Sequence, residues 1–285
     1  MSARRFGFHL SIAGGLQNVP ARARRTRCDT IQIFTQSPRR WSGPAPTSDA
    51  IAAFRQGIAA QGIDPVTIHT IYPINLASAD DGLYEGSIDL VAEDLRRAGL
   101  LGVPLVNTHV GHARDLNYDE ALDRVTQALR EVLRRADSPA RLLLENAALR
   151  GTFHGSRFEE LAALIEGAGG PERLGMCLDT AHAFASGYPV HTEEGLDETL
   201  AALDRTVGLE NLYLVHLNDS KSEFGSHVDR HEHLGKGKLG HHALRRIVNH
   251  PKLRHLPFVM ETPIDDRRDD VGNMRYARRL VDKRA

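Results

Sequence analysis

Cysteine is scarce. Cys28 and Cys177 are the only two in 285 residues, too few for a disulfide framework. Each is expected to pack as a small buried hydrophobe in a reducing compartment. No run approaches the ~20 apolar residues of a bilayer-crossing helix. The opening Met1-Ser-Ala-Arg-Arg-Phe-Gly-Phe lacks the apolar stretch of a secretion signal. A cytoplasmic protein with no membrane partner is expected. An excess of one charge sign is missing too: 36 Lys and Arg against 37 Asp and Glu leave a formal charge of −1. Domains that bind phosphate backbones are usually basic, so the bare chain argues against a nucleic-acid partner. No G-x-G-x-x-G opens the first strand–helix unit and no P-loop occurs, which leaves a nucleotide crevice unsupported. Linkers, low-complexity tracts and repeats of roughly 20–50 residues are absent. One domain spanning residues 1–285 is expected.

What is present is an alternation. Short β-branched runs at Phe6–His9, Thr30–Thr35, Val66–Ile71, Leu105–Val110, Leu142–Asn146, Gly175–Thr180, Leu212–Asn218 and Phe258–Thr262 read as strands. Between and after them, amphipathic stretches read as helices: Leu16–Arg27, Ser48–Gln61, Leu83–Ala98, Tyr118–Arg135, Arg157–Gly167, Thr192–Val207, His241–Asn249 and Asp270–Lys283. Eight successive strand-then-helix units predict an α/β fold, a closed (β/α)8 TIM barrel, with a doubly wound open sheet as the alternative. The longest segment without a helix or strand pattern is Asp219–Gly240, and a loop of that length in a compact fold is usually functional.

The 15 histidines are many, and several stand at strand ends together with carboxylates. His69, His109, Glu145, Asp179 and Glu261 close the third, fourth, fifth, sixth and eighth runs; His216 lies in the seventh and His182 follows Asp179 by three residues. In a parallel barrel all strand C-termini point to one rim. Singly, a strand-end histidine is more often a satisfied polar residue, and a buried Glu more often pairs with an Arg. Packed together without partners, such groups would cost several kcal/mol each. A divalent cation offsets that cost, and a mixed imidazole and carboxylate set suits Zn²⁺ or Mn²⁺ better than Mg²⁺ or Ca²⁺. Asp229-Arg-His231 in the long loop adds two more ligand heads. Nine heads at three or four per ion serve two or three metals.

Two long segments carry a resemblance. Cys177-Leu-Asp-Thr-Ala-His-Ala-Phe-Ala-Ser-Gly-Tyr188 resembles the sixth-strand signature of the endonuclease IV family of abasic-site endonucleases. His216-Leu-Asn-Asp-Ser-Lys-Ser-Glu-Phe-Gly-Ser-His-Val-Asp-Arg-His231, continued by Leu-Gly-Lys-Gly-Lys-Leu-Gly240, is similar to its seventh-strand and metal-loop signature. His9-Leu-Ser-Ile-Ala-Gly-Gly15, Phe34-Thr-Gln-Ser-Pro-Arg-Arg-Trp41, Ile74-Asn-Leu-Ala77, Phe158-Glu-Glu-Leu161 and Met260-Glu-Thr-Pro263 extend the likeness from about Phe6 to Pro263.

The resemblance implies a TIM barrel with three Zn²⁺ ions, or Mn²⁺ at one or more sites. His69, His109 and Glu145 would hold the first. Glu145, Asp179, His216 and Glu261 would hold the second, with Glu145 bridging. His182, Asp229 and His231 would hold the third. Glu145 and Glu261 would be catalytic. The implied activity is DNA repair: hydrolysis of the phosphodiester 5′ to an abasic site by a metal-bridging hydroxide attacking phosphorus in line, and trimming of blocked 3′ ends. Double-stranded DNA is the implied substrate, and a monomer is expected. Three divalent ions add six positive charges to a chain of formal charge −1, which answers the charge objection.

Candidate DNA contacts are Arg39 with Arg40, the wedge residues Tyr72 and Pro73, Arg150, and the basic group Arg22, Arg24, Arg25 and Arg27, whose plainer reading is a solvated helix face. The family's His-x-Ser-Tyr-Leu is here His69-Thr-Ile-Tyr72-Pro73. Val110 stands where the family has Pro, and Ala147-Ala148-Leu149-Arg150-Gly151 replaces Thr-Ala-Gly-Gln-Gly. These changes fall in loops that would grip DNA, and Arg150 is expected to add a phosphate contact. Two rivals use the same barrel or metals: a sugar isomerase or epimerase with one or two divalent ions, and a non-catalytic damaged-DNA-binding protein. Asp229, His231 and His182 go beyond what a one-metal isomerase needs. Structural zinc sites fill all four positions with protein ligands, typically cysteine-rich.

Overall fold

A computed structural model describes residues 4–36, 45–148, 153 and 155–282. Eight strands close a parallel barrel: β1 (Arg5–Leu10), β2 (Thr30–Ile33), β3 (Val66–His69), β4 (Leu105–Thr108), β5 (Arg141–Glu145), β6 (Leu174–Asp179), β7 (Leu212–His216) and, after a two-stranded hairpin β8 (Asp219–Ser220) and β9 (His231–Glu232), β10 (Pro257–Met260). Closure comes from β10 pairing with β1, Phe8 opposite Met260. The helices are α1 (Val19–Thr26), α2 (Ser48–Ala59), α3 (Asp81–Leu101), α4 (Tyr118–Ala136), α5 (Phe158–Gly167), α6 (Thr180–Ala185), α7 (Glu193–Thr206), α8 (Gly240–Asn249) and α9 (Asp270–Leu280). The expected barrel is therefore the observed one. Among the described residues no helix is long and apolar enough to cross a membrane.

Local chemistry explains the boundaries. Asn117 and Glu120 open α4 as a reciprocal capping box, each side chain accepting the other's backbone N–H at 3.0 Å. Asp80, Thr192 and Asp269 cap α3, α7 and α9 in the same direction. The sixth strand stops at Asp179 because that carboxylate accepts the His182 N–H at 2.8 Å and starts α6 at once. The segment Asp219–Gly240 is not wholly irregular. Asp219 pairs with Glu232 and Ser220 with His231 across an antiparallel ladder.

Alternation places the site. On β4, β5, β6, β7 and β10 the inward side chains Leu105, Leu143, Cys177, Leu214 and Val259 form a separate apolar cluster inside the barrel. Two residues further along each strand stand Asn107, Glu145, Asp179, His216 and Glu261. A dry floor thus carries a polar layer directly above it. Cys177 is a floor residue, as expected, and burial pushes its thiol up to about 12. The larger core lies between the barrel and the helices, built from residues such as Ile31, Ile68, Val106, Leu142 and Phe258.

Candidate metal centre

All nine ligand candidates meet at the C-terminal rim, in overlapping groups. His69 Nε2 and His109 Nε2 lie 3.2 and 3.8 Å from Glu145 Oε2. The other oxygen of Glu145, Oε1, lies 3.1 Å from His216 Nδ1, so one carboxylate serves two groups. His216 Nδ1 also faces Glu261 Oε2 at 3.4 Å and Asp179 Oδ2 at 3.8 Å. Asp229 Oδ1 stands 3.2 Å from His182 Nε2 and 3.3 Å from His231 Nε2. Asp179 Oδ2 is 3.7 Å from His231 Nε2 and links this last group to the second. Within each of the sets His69–His109–Glu145, Glu145–Asp179–His216–Glu261 and Asp179–His182–His231, all ligand atoms lie within 4.8 Å of one another. Cys177 falls within the same reach of Glu145 and His216, but from the apolar floor.

The donor set fits divalent ions. Among the described residues, His182 Nε2 and His231 Nε2 are buried without a hydrogen-bond partner, although Asp229 is close to both. Atoms bonded tetrahedrally at about 2.0–2.1 Å to one ion stand roughly 3.3–3.4 Å apart, which is the spacing seen here. The tautomers agree as well. His69 Nδ1 donates to the Thr70 carbonyl (2.6 Å), His182 Nδ1 to that of Asn146 (2.9 Å) and His231 Nδ1 to that of Glu261 (3.2 Å). Each bond leaves a bare Nε2 directed at the cluster.

The electrostatics point the same way. Burial pushes the Glu145 carboxyl upward, but the His216 and His109 imidazoles prevail and hold it well below the usual range. Glu261 is likewise driven up by burial and held well below the usual range by His216 and His9. Burial opposes ionisation of Asp229, yet His182 and His231 draw it down to about 2. Burial lowers His182 and His216, but neighbouring groups outweigh it, led by Asp179 for His182 and by Cys177 and Glu145 for His216, and raise both well above the ordinary value. The ionised carboxylates thus draw positive charge toward the cluster, while burial holds His109 below its ordinary value.

Amides brace the candidate ligands, and sequence reading missed them. Asn107 Nδ2 donates to Glu145 Oε2 at 2.6 Å. Asn218 Nδ2 donates to Asp179 Oδ2 at 2.7 Å, while its Oδ1 accepts the Glu261 N–H at 2.8 Å. Asn146 Oδ1 accepts the Asp179 N–H at 2.8 Å. The available signal was parity and adjacency: Asn107 lies two residues before His109, Asn218 two after His216, and Asn146 next to Glu145. Asp219 was passed over too. Its buried carboxylate accepts backbone N–H bonds from Ser220, Gly235, Gly237, Leu239 and Gly240 at 2.8–3.3 Å, which folds the loop that delivers Asp229 and His231. Gly237 is required by that approach, since a Cβ there would stand 2.4 Å from Asp219 Oδ1.

Of the candidate DNA contacts, Tyr72 is 74% exposed on the turn beyond His69, its ring edge-on to Phe34, and Pro73 is exposed beside it. Arg39, Arg40 and Arg150 lie outside the described residues. The α1 arginines are not at the rim as a group. Arg22 binds the carbonyls of Ser11 and Ala13 and so holds the β1–α1 loop. Arg24 and Arg25 occupy the last turn of α1 and Arg27 its C-cap, and a barrel helix runs back toward the strand N-termini, the opposite face.

A family model described as a xylose isomerase-like TIM barrel matches residues 20–283. The chain is 42% identical to a probable endonuclease 4 of Methanoculleus marisnigri, covering 96% of this chain and 98% of that one. It matches the crystal structure of endonuclease IV from Thermus thermophilus with a TM-score of 0.87 and 41% identity, over 97% of this chain and 98% of that one. A D-tagatose 3-epimerase-like protein matches with a TM-score of 0.70 at 19% identity, over 97% and 98% of the two chains, a likeness that extends to the fold alone. Identity near two residues in five, along almost the whole of both chains, is found on the endonuclease side. The chain belongs to the endonuclease IV family of abasic-site endonucleases.

Proposed function

We propose that this chain is a DNA-repair endonuclease of base excision repair. It hydrolyses the phosphodiester 5′ to an abasic site, leaves 3′-hydroxyl and 5′-deoxyribose phosphate ends, and trims blocked 3′ ends. The observation that carries this reading is the sharing of ligands: Glu145 divides its two oxygens between groups, and Asp179 stands between the second and third. A chain of linked groups suits a phosphodiester, whose attacked phosphorus and leaving oxygen both need positive charge. We assign His69, His109 and Glu145 to a first ion, Glu145, Asp179, His216 and Glu261 to a second, and His182, Asp229 and His231 to a third. The ions are zinc, with manganese at one or more positions as the variant. Divalent ions held there supply charge for the phosphate oxygens and make water acidic enough to attack phosphorus near neutral pH.

The chain's own residues set the direction of approach. Glu145 and Asp179 are fully buried, whereas the side chains of Glu261, His109 and Asp229 are 19%, 32% and 48% exposed. The phosphodiester enters from that open side. Among the described residues, the exposed large apolar side chains Tyr72, Phe224, Val228 and Ile264 all ride on rim loops, with Leu100 elsewhere. Apolar wedges beside a groove are how proteins unstack and kink a duplex. Tyr72 and Pro73 are our wedge at the lesion, with Arg39 and Arg150 as backbone contacts. The protein acts as one monomeric domain in the cytoplasm.

The test is a duplex with a single abasic analogue, incubated with untreated, chelator-stripped and metal-reloaded protein, alongside elemental analysis. A chelator-sensitive nick on the 5′ side and three metal ions per chain are expected. A metal-replete preparation that ignores the lesion, or one that converts an aldose to a ketose, would sink the reading.

A further inference from the structure

His216 is oriented differently from the other ligand histidines. In His69, His182 and His231 the Nδ1 proton is tied to a backbone carbonyl and Nε2 faces the cluster. In His216 it is Nδ1 that faces Glu145 and Glu261, and Nε2 lies 2.9 Å from Gln32 Oε1. Gln32 is fully buried on β2, far from His216 in sequence. Its amide nitrogen lies 2.8 Å from Glu261 Oε1 and 3.0 Å from His9 Nδ1.

The donor and acceptor roles follow from one another. The ionised Glu261 carboxylate only accepts, so the Gln32 atom facing it is the NH₂ group. The other amide atom is then the oxygen, which only accepts. His216 Nε2 must carry a proton, so in the neutral ring, the form that binds metal, the Nδ1 lone pair is the one left bare. The same amide holds Glu261 Oε1, which turns Oε2 toward His216 Nδ1 at 3.4 Å.

We infer that Gln32 is a positioning residue that fixes His216 as an Nδ1 ligand and sets Glu261 beside it, so that one amide on β2 orders two ligands from β7 and the end of β10. The inference rests on the metal assignment proposed above. Among the described residues no backbone carbonyl performs this task for His216, and Gln32 reaches it across the barrel interior above the apolar floor. Partners of this kind change metal affinity or activity by about 10- to 100-fold.

The experiment uses the full chain loaded with zinc. Imidazole nitrogen NMR on wild-type protein with isotope-labelled histidine should show the His216 proton on Nε2, opposite to His69, His182 and His231. In Gln32→Met, chelator competition should show one ion bound about 10- to 100-fold more weakly than in wild type, with the other ions unchanged. The His216 proton signal should be lost or divided, and kcat should fall while KM holds. Gln32→Glu keeps an acceptor for His216 but removes the donors. It should restore the Nε2 proton signal without restoring the affinity. Unchanged metal affinity together with an unchanged His216 signal in Gln32→Met would overturn the inference. The wild-type spectrum decides even if that variant does not fold: a His216 proton on Nδ1, in a chain that loads metal and nicks DNA, overturns it alone. A wild-type chain that takes up no metal removes the metal assignment and this inference with it.

Discussion

At the scale of single residues, the fate of Glu145 is the sharpest prediction. Two ligand groups share it, so Glu145→Ala should release more metal than any other single ligand change. Nicking should fall by more than the roughly 100-fold that loss of a bracing partner produces. Elemental analysis beside circular dichroism separates lost metal from a lost fold. A second prediction concerns Asp94, a fully buried carboxylate on α3 whose oxygen accepts the Thr35 hydroxyl. Burial raises it to about 6, although Thr35, Gln36 and Arg97 oppose the rise. The folded chain therefore keeps a proton on Asp94 where the unfolded chain has released it. Its contribution to stability is fully present below about pH 4 and is lost as the pH rises to about 6. Denaturant titrations should show wild type losing on the order of 2–3 kcal/mol relative to Asp94→Asn across that window. A difference that stays level with pH would contradict the burial argument. The convergence of the candidate ligands was legible because histidine and carboxylate at a strand end are conspicuous. Gln32 was not, since an amide inside a strand with no candidate ligand beside it acquires meaning only from the strand opposite; the bracing asparagines, one or two residues from a candidate ligand, carried a signal only in parity and adjacency.

At the scale of elements, the segment Asp219–Gly240 is closed by a single carboxylate, which ties the stretch after β9 back to β8. Asp219→Ala removes an acceptor from five backbone N–H groups. Hydrogen bonds to a charged group contribute about 1.5–3 kcal/mol each when measured singly. The expected result is a loop that opens while the barrel persists, read as faster amide exchange over 219–240 and loss of the ion assigned to His182, Asp229 and His231. Nicking should fall steeply, and Asp219→Asn, which keeps one acceptor, should sit between. The strands were readable as short apolar runs because both their faces are buried, and most helices from periodicity because each buries one face. The hairpin and α6 were not, because their order comes from Asp219 and Asp179 reaching for backbone N–H groups, not from an apolar stripe. The α1 arginines had two readings in the sequence. Between backbone contact and solvated helix face, the direction of a barrel helix favours the second for Arg24, Arg25 and Arg27, because it carries the last turn away from the rim.

At the scale of the whole molecule, charge and stability should both depend on the ions. A chain of formal charge −1 has little attraction for a duplex until metal is bound. Stripped protein should bind abasic duplex more weakly and with a shallower salt dependence than loaded protein, and its thermal midpoint should fall. Fluorescence anisotropy across a salt series and thermal scans with and without chelator check both. The floor-and-layer construction of the barrel also governs how this sequence can change. Each of Glu145, Asp179, His216 and Glu261 is two steps from a floor residue on its own strand. Deleting or inserting one residue between such a pair would turn the ligand outward into the helical shell. The rim loops are free of that constraint. Length variation among descendants should therefore collect immediately after the strands, leaving these four two-residue steps untouched while the surfaces that meet DNA diverge.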